Sequence, residues 1–227
     1  VVLDEIHLLS DAQIEACKEL LLLNRCVLGL TGTLSKWTKI NLKKQLGIEV
    51  SEEYSIAEGI EDKIIADYQI TVVKVPLDSR KLLLFGKKHK TEKQQFRALS
   101  FVINKITMEG GDSMFLRLAR MRVVQNSIAK IQRTKSILDI HSNERILVFC
   151  GTTDVADSLG IPSHHSKSKD KTIFEDFTNG GGENQLAVVN IGNSGVTFFG
   201  LYKVILLAVD SNSEKLTQRL LRCMSLD

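Results

Sequence analysis

Short runs of aliphatic and β-branched residues recur along the chain: Val1–Leu3, Val27–Leu30, Ile70–Val75, Ile146–Phe149, Leu186–Ile191 and Val204–Val209. Each is nearly continuous in apolar residues. That pattern predicts strands buried on both faces of a parallel sheet. Helical patterns lie between them. Ser10 and Gln13 stand at capping-box spacing, and Ile14, Cys17 and Leu21 then recur on one helical face. A long helix is predicted to start at Asp112 or Ser113, just after Gly110-Gly111, with Leu118, Met121, Val124, Ile128 and Ile131 along one side. Ser35–Leu46, Thr91–Thr107, Asp154–Leu159, Lys169–Thr178 and Ser213–Cys223 also read as helices. Strands alternating with helices imply βαβ units, hence an α/β fold with doubly wound parallel sheets. The stretch from Gly47 to Asp67 is acidic and weakly periodic, which places a boundary between a first region, 1–66, and a second, 67–227. There is no internal repeat, and Gly180-Gly181-Gly182 reads as a surface turn.

Bulk composition changes this picture little. Hydrophobic residues are 43% of the 227, charged residues 25%, and only 2 are proline. A globular chain with a real core is expected, and disorder is not. The net charge of +3 permits a polyanionic partner without demanding one. Cys17, Cys26, Cys150 and Cys223 form no CxxC pair and no zinc spacing with histidine, so they point to a reducing compartment. No apolar run approaches the roughly 20 residues that span a bilayer, and no charged region precedes a signal-like core. The chain opens at Val1 in what reads as a strand, so a fragment of a longer product is expected.

Three local patterns carry candidate chemistry. Asp4-Glu5-Ile6-His7 directly follows the first apolar run, which would put two carboxylates at the carboxyl edge of a sheet, where open α/β folds bind ligands. Phosphoryl transfer needs one carboxylate to hold Mg²⁺, a role that suits Asp4, and a second group to orient water, a role that suits Glu5. A solvated strand end fits the same four residues. Thr31-Gly32-Thr33 follows the second strand, where hydroxyls on a tight turn could bond the neighbouring carboxylates; a simple helix cap fits equally. Gln218-Arg219-Leu220-Leu221-Arg222 would set arginines on a helix after the last strand, either to neutralise a transferring phosphoryl group or merely to end a helix.

Taken in order, these patterns resemble the motifs of superfamily 2 DExH-box helicases and translocases. Asp4-Glu5-Ile6-His7 is similar to motif II and Thr31-Gly32-Thr33 to motif III. Ile146–Cys150 is similar to motif IV, Asn190–Thr197 to motif V, and Gln218–Arg222 to motif VI. His164-His165-Ser166 falls where that family often has a short strand ending in histidine and a small residue. The resemblance implies RecA-like lobes: the end of a first lobe over 1–66 and a complete second lobe over 67–227, both with parallel sheets. It implies ATP and Mg²⁺ as cofactors, with Asp4 as the metal ligand and Glu5 activating water. His7, Thr31 and Thr33 would couple the nucleotide to lobe movement. Gly195 and Thr197 would touch the cleft and the nucleic-acid backbone, and Arg222, with Gln218 beside it, would reach across as an arginine finger. It further implies a nucleic-acid partner, DNA in preference to RNA because of the long helical stretch between Thr91 and His141, and the cytoplasm of a bacterial or phage-infected cell.

The sequence departs from that family at three points. No GxxxxGK[ST] occurs: Gly29-Leu30-Thr31-Gly32 fails the spacing, and Gly180-Gly181-Gly182 lacks the lysine. Without that loop, amides and lysine cannot cradle the β- and γ-phosphates, so the chain alone is expected to be inactive as an ATPase. Leu221 replaces a family glycine, and Ser225 replaces its last arginine. A degenerate module that binds nucleic acid without turnover is therefore the alternative, and an unrelated doubly wound nucleotide-binding protein is a third reading. Lys87-Lys88-His89-Lys90, the set Arg117, Arg120 and Arg122, and the set Lys167, Lys169 and Lys171 are the basic clusters. They suit phosphate contacts or plain solvated surface, and no aromatic residues interleave with them for base stacking. Oligomeric state is not legible.

Overall fold

A computed structural model of the protein describes residues 1–23, 26–32, 34–168, 170–189 and 198–208. They form two compact units that divide between Asp67 and Tyr68.

In the first unit, β1 (Val2–Leu3) pairs in parallel with β2 (Leu28–Gly29), in the register Val2 to Leu28 and Leu3 to Gly29. Between them run a 3-10 turn, Ile6–Leu8, and α1 (Asp11–Leu22). The capping box expected at Ser10 is present: its hydroxyl accepts from Gln13 N, and the Gln13 side chain accepts from Ser10 N. α2 (Lys36–Leu46) is capped by Ser35 and stopped by Gly47 in the left-handed region at φ 67°. α3 (Ile56–Glu61) has its own capping box from Ser55 and Glu58. Ile6, Ile14, Cys17, Leu42 and Leu46 form the core. The strands here are not buried on both faces as the apolar runs predicted. Val2 is 63% exposed and Leu28 52%, because two strands of two residues are too short for helices to cover both faces.

The second unit opens with a tight hairpin absent from the sequence reading. β3 (Leu83–Phe85) and β4 (Lys88–Lys90) pair antiparallel around Gly86-Lys87, with Gly86 at φ 62°. The strand expected over Ile70–Val75 does not form. Ile70, Val72 and Val73 are exposed, and no neighbouring strand among the described residues offers them a ladder; β-propensity without a paired edge makes no strand.

α4 (Glu92–Met108) starts at a Thr91–Gln94 capping box. The single long helix expected next is two, α5 (Met114–Gln125) and α6 (Ile128–Ile140). The break has an identifiable cause. The Glu92 carboxylate, 2% exposed, accepts from Ile128 N at 2.7 Å, Ser127 Oγ at 2.9 Å and Asp78 N at 3.0 Å. A carboxylate on that amide starts a helix, so the backbone before it must leave the preceding one.

The remaining elements are β5 (Ile146–Cys150), α7 (Thr153–Ser158), β6 (Ser163–His164), α8 (Thr172–Thr178), β7 (Gln185–Val189) and β8 (Lys203–Leu206). The strands form one parallel sheet in the order β6-β7-β5-β8. Every residue of β5 is buried, as is β7 beyond its first residue. Ile146, Val148 and Cys150 face a core that includes Leu138, Val155 and Leu159. Leu147 and Phe149 point to the opposite face, by the period of a strand. The α/β class with a parallel sheet is thus the observed architecture.

Candidate functional site

The chain turns sharply where β1 ends. Asp4 Oδ1 accepts from Glu5 N at 2.9 Å, and Glu5 sits in the left-handed region, φ 51° and ψ 44°. For a non-glycine residue that conformation costs about 1–2 kcal/mol, and the surroundings hold it in place. Ile6 N donates to Leu30 O at 3.1 Å, Leu8 N to Glu5 O at 2.8 Å, and the Ile6 side chain is buried against β2. Gly29 makes that approach possible: a Cβ there would lie 2.2 Å from Ile6 Cδ1. The sequence reading placed Gly29 in the strand Val27–Leu30 and in a failed phosphate loop, and assigned it no packing role. A glycine inside an apolar strand run was the available signal for close backbone approach.

The turn aims Glu5 inward. Its Oε2 lies 3.2 Å from His7 Nδ1, within ion-pair range, yet it is buried and makes no hydrogen bond among the described residues. His7 Nδ1 instead has its short contact, 2.7 Å, with Thr31 Oγ1, and the ring is 4% exposed. The Thr31 hydroxyl therefore meets the histidine that stands beside the Glu5 carboxylate. The geometry explains it: the left-handed turn at Glu5 swings His7 back over the end of β2. Asp4 stays exposed.

Asp4, Glu5, His7 and Thr31 are thus brought to one carboxyl edge. Thr33, Gly195, Thr197, Gln218 and Arg222 lie outside the described residues, as do Leu221 and Ser225. Among the described residues, no group of three or more His, Cys, Asp or Glu side chains could hold a metal by itself.

The carboxyl edge of the second sheet is built differently. After β5, a Cβ on Gly151 would sit 2.9 Å from Ala208 Cβ, so the turn requires glycine. Thr152 Oγ1 accepts from Val155 N at 3.4 Å and donates to Asn126 Oδ1 at 3.2 Å. Lys130 Nζ donates to Leu207 O, and burial holds the amine below its ordinary pKa. Burial pushes the Cys150 thiol up to about 12, opposed by the nearby Lys130 charge. It is a protonated core cysteine, not a nucleophile.

Ser163, His165 and Asp157 resemble a hydrolytic triad by type, and their bonding excludes that role. Ser163 Oγ donates to Asp157 Oδ1 at 2.6 Å, and His165 Nε2 reaches the same oxygen at 2.9 Å. His165 Nδ1 accepts from Lys167 N at 3.2 Å. No imidazole lone pair is left to take a serine proton.

Of the basic clusters, Lys87, Lys88 and His89 are exposed on the β3–β4 hairpin, Arg117 and Arg122 are exposed on α5, and Lys169 lies outside the described residues. Among the described residues no helix is long and apolar enough to cross a membrane.

Residues 129–226 match the family model described as helicase conserved C-terminal domain, less than half of the 227 residues. No curated protein matches the chain. The match begins inside α6 and takes in the whole four-stranded sheet, consistent with the C-terminal lobe of a RecA-like helicase. It supports a helicase-type domain there and, with it, an interaction with nucleic acid.

Proposed function

We propose that the chain belongs to an ATP-dependent helicase or translocase that acts on nucleic acid, DNA in preference to RNA, mainly through its phosphate backbone. The observation that carries this reading is the relay at the carboxyl edge of the first unit. Glu5, turned inward at a left-handed residue, lies beside His7, and His7 is bonded to Thr31 on the neighbouring strand end. The helicase-type match over 129–226 supports it independently.

The residues present fit Mg²⁺. This ion keeps several waters and takes one or two carboxylates plus phosphate oxygens, which suits the exposed Asp4. The buried, unbonded Glu5 Oε2 suits a group that accepts a proton from water or orients it. Bound Mg²⁺ would supply charge neutralisation at the phosphates. In this proposal His7 and Thr31 transmit the state of Glu5 to the end of β2, Thr33 shares that coupling role, and Gly195 and Thr197 serve the nucleic-acid backbone and the nucleotide cleft, as the family resemblance implies. Arg222 and Gln218 serve the developing phosphoryl charge. The sequence holds no phosphate-cradling loop, so the chain alone hydrolyses no ATP, and turnover belongs to a longer protein that supplies one. The protein works in the reducing cytoplasm of a bacterial or phage-infected cell.

Leu221 and Ser225, which depart from the motif of the family it resembles, favour a second reading: a nucleic-acid clamp without turnover. ATP hydrolysis by the full-length protein, with and without single-stranded DNA, separates the two. DNA-stimulated turnover lost in Glu5→Gln fits the motor. DNA binding without turnover in either form fits the clamp.

A further inference from the structure

α4 and α5 form a hairpin through Gly110-Gly111, with Gly110 at φ 73° and Gly111 N donating to Ile106 O at 2.9 Å. It precedes the stretch matched to the helicase domain. α5 runs twelve residues and buries only Val123. Met114, Leu118, Met121 and Val124 fall at i, i+4, i+7 and i+10, 36–59% exposed. An apolar stripe at that spacing ordinarily faces a core; here it faces outward. Met114, Leu118 and Met121 line a groove of about 360 Å³ that ends at Arg117. Beyond Arg117 a second hollow of about 310 Å³ continues past Ile103, Met108 and Arg120. Arg117 Nε donates to Ser113 Oγ at 3.1 Å, which fixes the guanidinium between the two hollows.

Past Arg117 the groove is cationic as well as apolar. Among the described residues, Arg117, Arg120 and Arg122 enter no ion pair. Asp112 lines the first hollow beside Arg117, its Oδ1 accepting from Met114 N, and Glu109 lies 4.0 Å from Lys105; the second hollow, with Arg117 and Arg120, has no acidic residue in its lining. An apolar floor flanked by unneutralised arginines fits an apolar stripe flanked by carboxylates, which arginine binds bidentately. The apolar part of the lining is thioether and aliphatic; no ring lines either hollow, and the nearby Phe96 ring lies under the Arg120 guanidinium. Nucleic-acid bases seek aromatic platforms, whereas thioethers adapt to the apolar face of a helix. A second copy fits poorly, since a two-fold contact through this face would oppose arginine to arginine.

We propose that this groove docks an acidic amphipathic helix of a partner protein, its apolar stripe on Met114, Leu118 and Met121 and its carboxylates on Arg117 and Arg120. This moves two of the α5 arginines from the nucleic-acid side to a protein partner, and it holds whether or not the protein hydrolyses ATP.

The test is fluorescence anisotropy on the full chain with three labelled peptides of about 14 residues, slightly longer than α5. One carries leucines at i, i+3, i+4 and i+7 with glutamates elsewhere. One has the same composition in scrambled order, and one has lysine for glutamate. Only the first is expected to bind. Met121→Glu and Arg117→Glu, both at exposed positions and checked for folding by circular dichroism, should each weaken it at least tenfold. Equal binding of the first two peptides, or an unchanged affinity in both variants, overturns the proposal. So does a single-stranded oligonucleotide that loses affinity in Arg117→Glu while no peptide binds, or a concentration-dependent dimer abolished by Met121→Glu.

Discussion

The two units present the same local design, parallel strands with side chains gathered at their carboxyl ends, at opposite extremes of burial. In the first, two-residue strands leave Val2 and Leu28 half exposed, and the adjoining turn carries a left-handed Glu5 and a buried carboxylate oxygen without a hydrogen bond. In the second, β5 and most of β7 are fully covered and the turn after β5 has an ordinary cap, although Arg145 Nε and His164 Nδ1 are buried there without a hydrogen bond among the described residues. Among the described residues the left-handed non-glycine positions, Glu5 and Lys63, both lie in the first unit, and such strain is tolerable where little stability rests on it. The contrast implies that substitutions in the second sheet register mostly as lost stability. Leu147→Ala, at a side chain with no exposed surface, should have the largest effect, about 2–5 kcal/mol, read from the urea midpoint of the second unit. A comparable loss from Leu3→Ala, on the thin β1, would dissolve the distinction.

Glu92 cuts across that comparison, since it is a buried charge within the well-covered unit. Its three donors, the amides of Asp78 and Ile128 and the Ser127 hydroxyl, would all be stranded by Glu92→Ala. The expected cost is about 3 kcal/mol. Glu92→Gln keeps one acceptor oxygen and should lose less. Equal effects in denaturant titrations would mean that the carboxylate is not what starts α6.

Within the first unit the comparison sharpens to two glycines three residues apart. Gly29→Ala forces a Cβ against Ile6 and should cost about 1–3 kcal/mol. Displacing Ile6 also moves Glu5, so the His7 imidazole resonance should shift with it. Gly32→Ala meets nothing within 4 Å and should be silent in both measurements.

How far the sequence alone led follows the same divide. Cap residues act over three or four positions, so Ser10, Ser35 and Thr91 announced their helices correctly. β5 and β7 were legible because a strand buried on both faces is apolar throughout. Long-range partners were not legible. The split of α5 from α6 involves Glu92, more than thirty residues upstream, and the local signal, the cap residues Asn126 and Ser127, sits inside an apolar periodicity that runs on to Ile131. The stripe on α5 was legible as one apolar side of a helix, but periodicity shows that a face is apolar, not what covers it. At the candidate site, Asp4, Glu5, His7 and Thr31 were picked out by order and type. That the threonine binds the histidine depended on the backbone turn at Glu5, which no residue type dictates.

The smallest effect concerns His164, where the second unit carries a titratable ring next to its sheet. The ring stacks on Phe174 at 4.7 Å, and its Nδ1 is buried without a hydrogen bond among the described residues. Burial holds its pKa below 6.5, with smaller contributions from the His165 and Lys171 charges. The unfolded chain therefore binds a proton more readily than the folded one. Stability is fully present above about pH 6.5 and falls as pH drops from there toward the lowered folded value. Asp157 is also lowered, by its bonds to Ser163 and His165, but its loss comes only in the acid range of carboxylates. Between about pH 7 and about pH 5 the histidine should therefore dominate locally. Thermal melts should drop by on the order of a degree, kept small because the ring is only half-buried and solvent screens it. His164→Gln should flatten that segment of the profile and leave the steeper fall below it. A profile unchanged by the substitution would place the mild-acid sensitivity elsewhere, and the covered sheet would then be as inert to protons as its strands are to water.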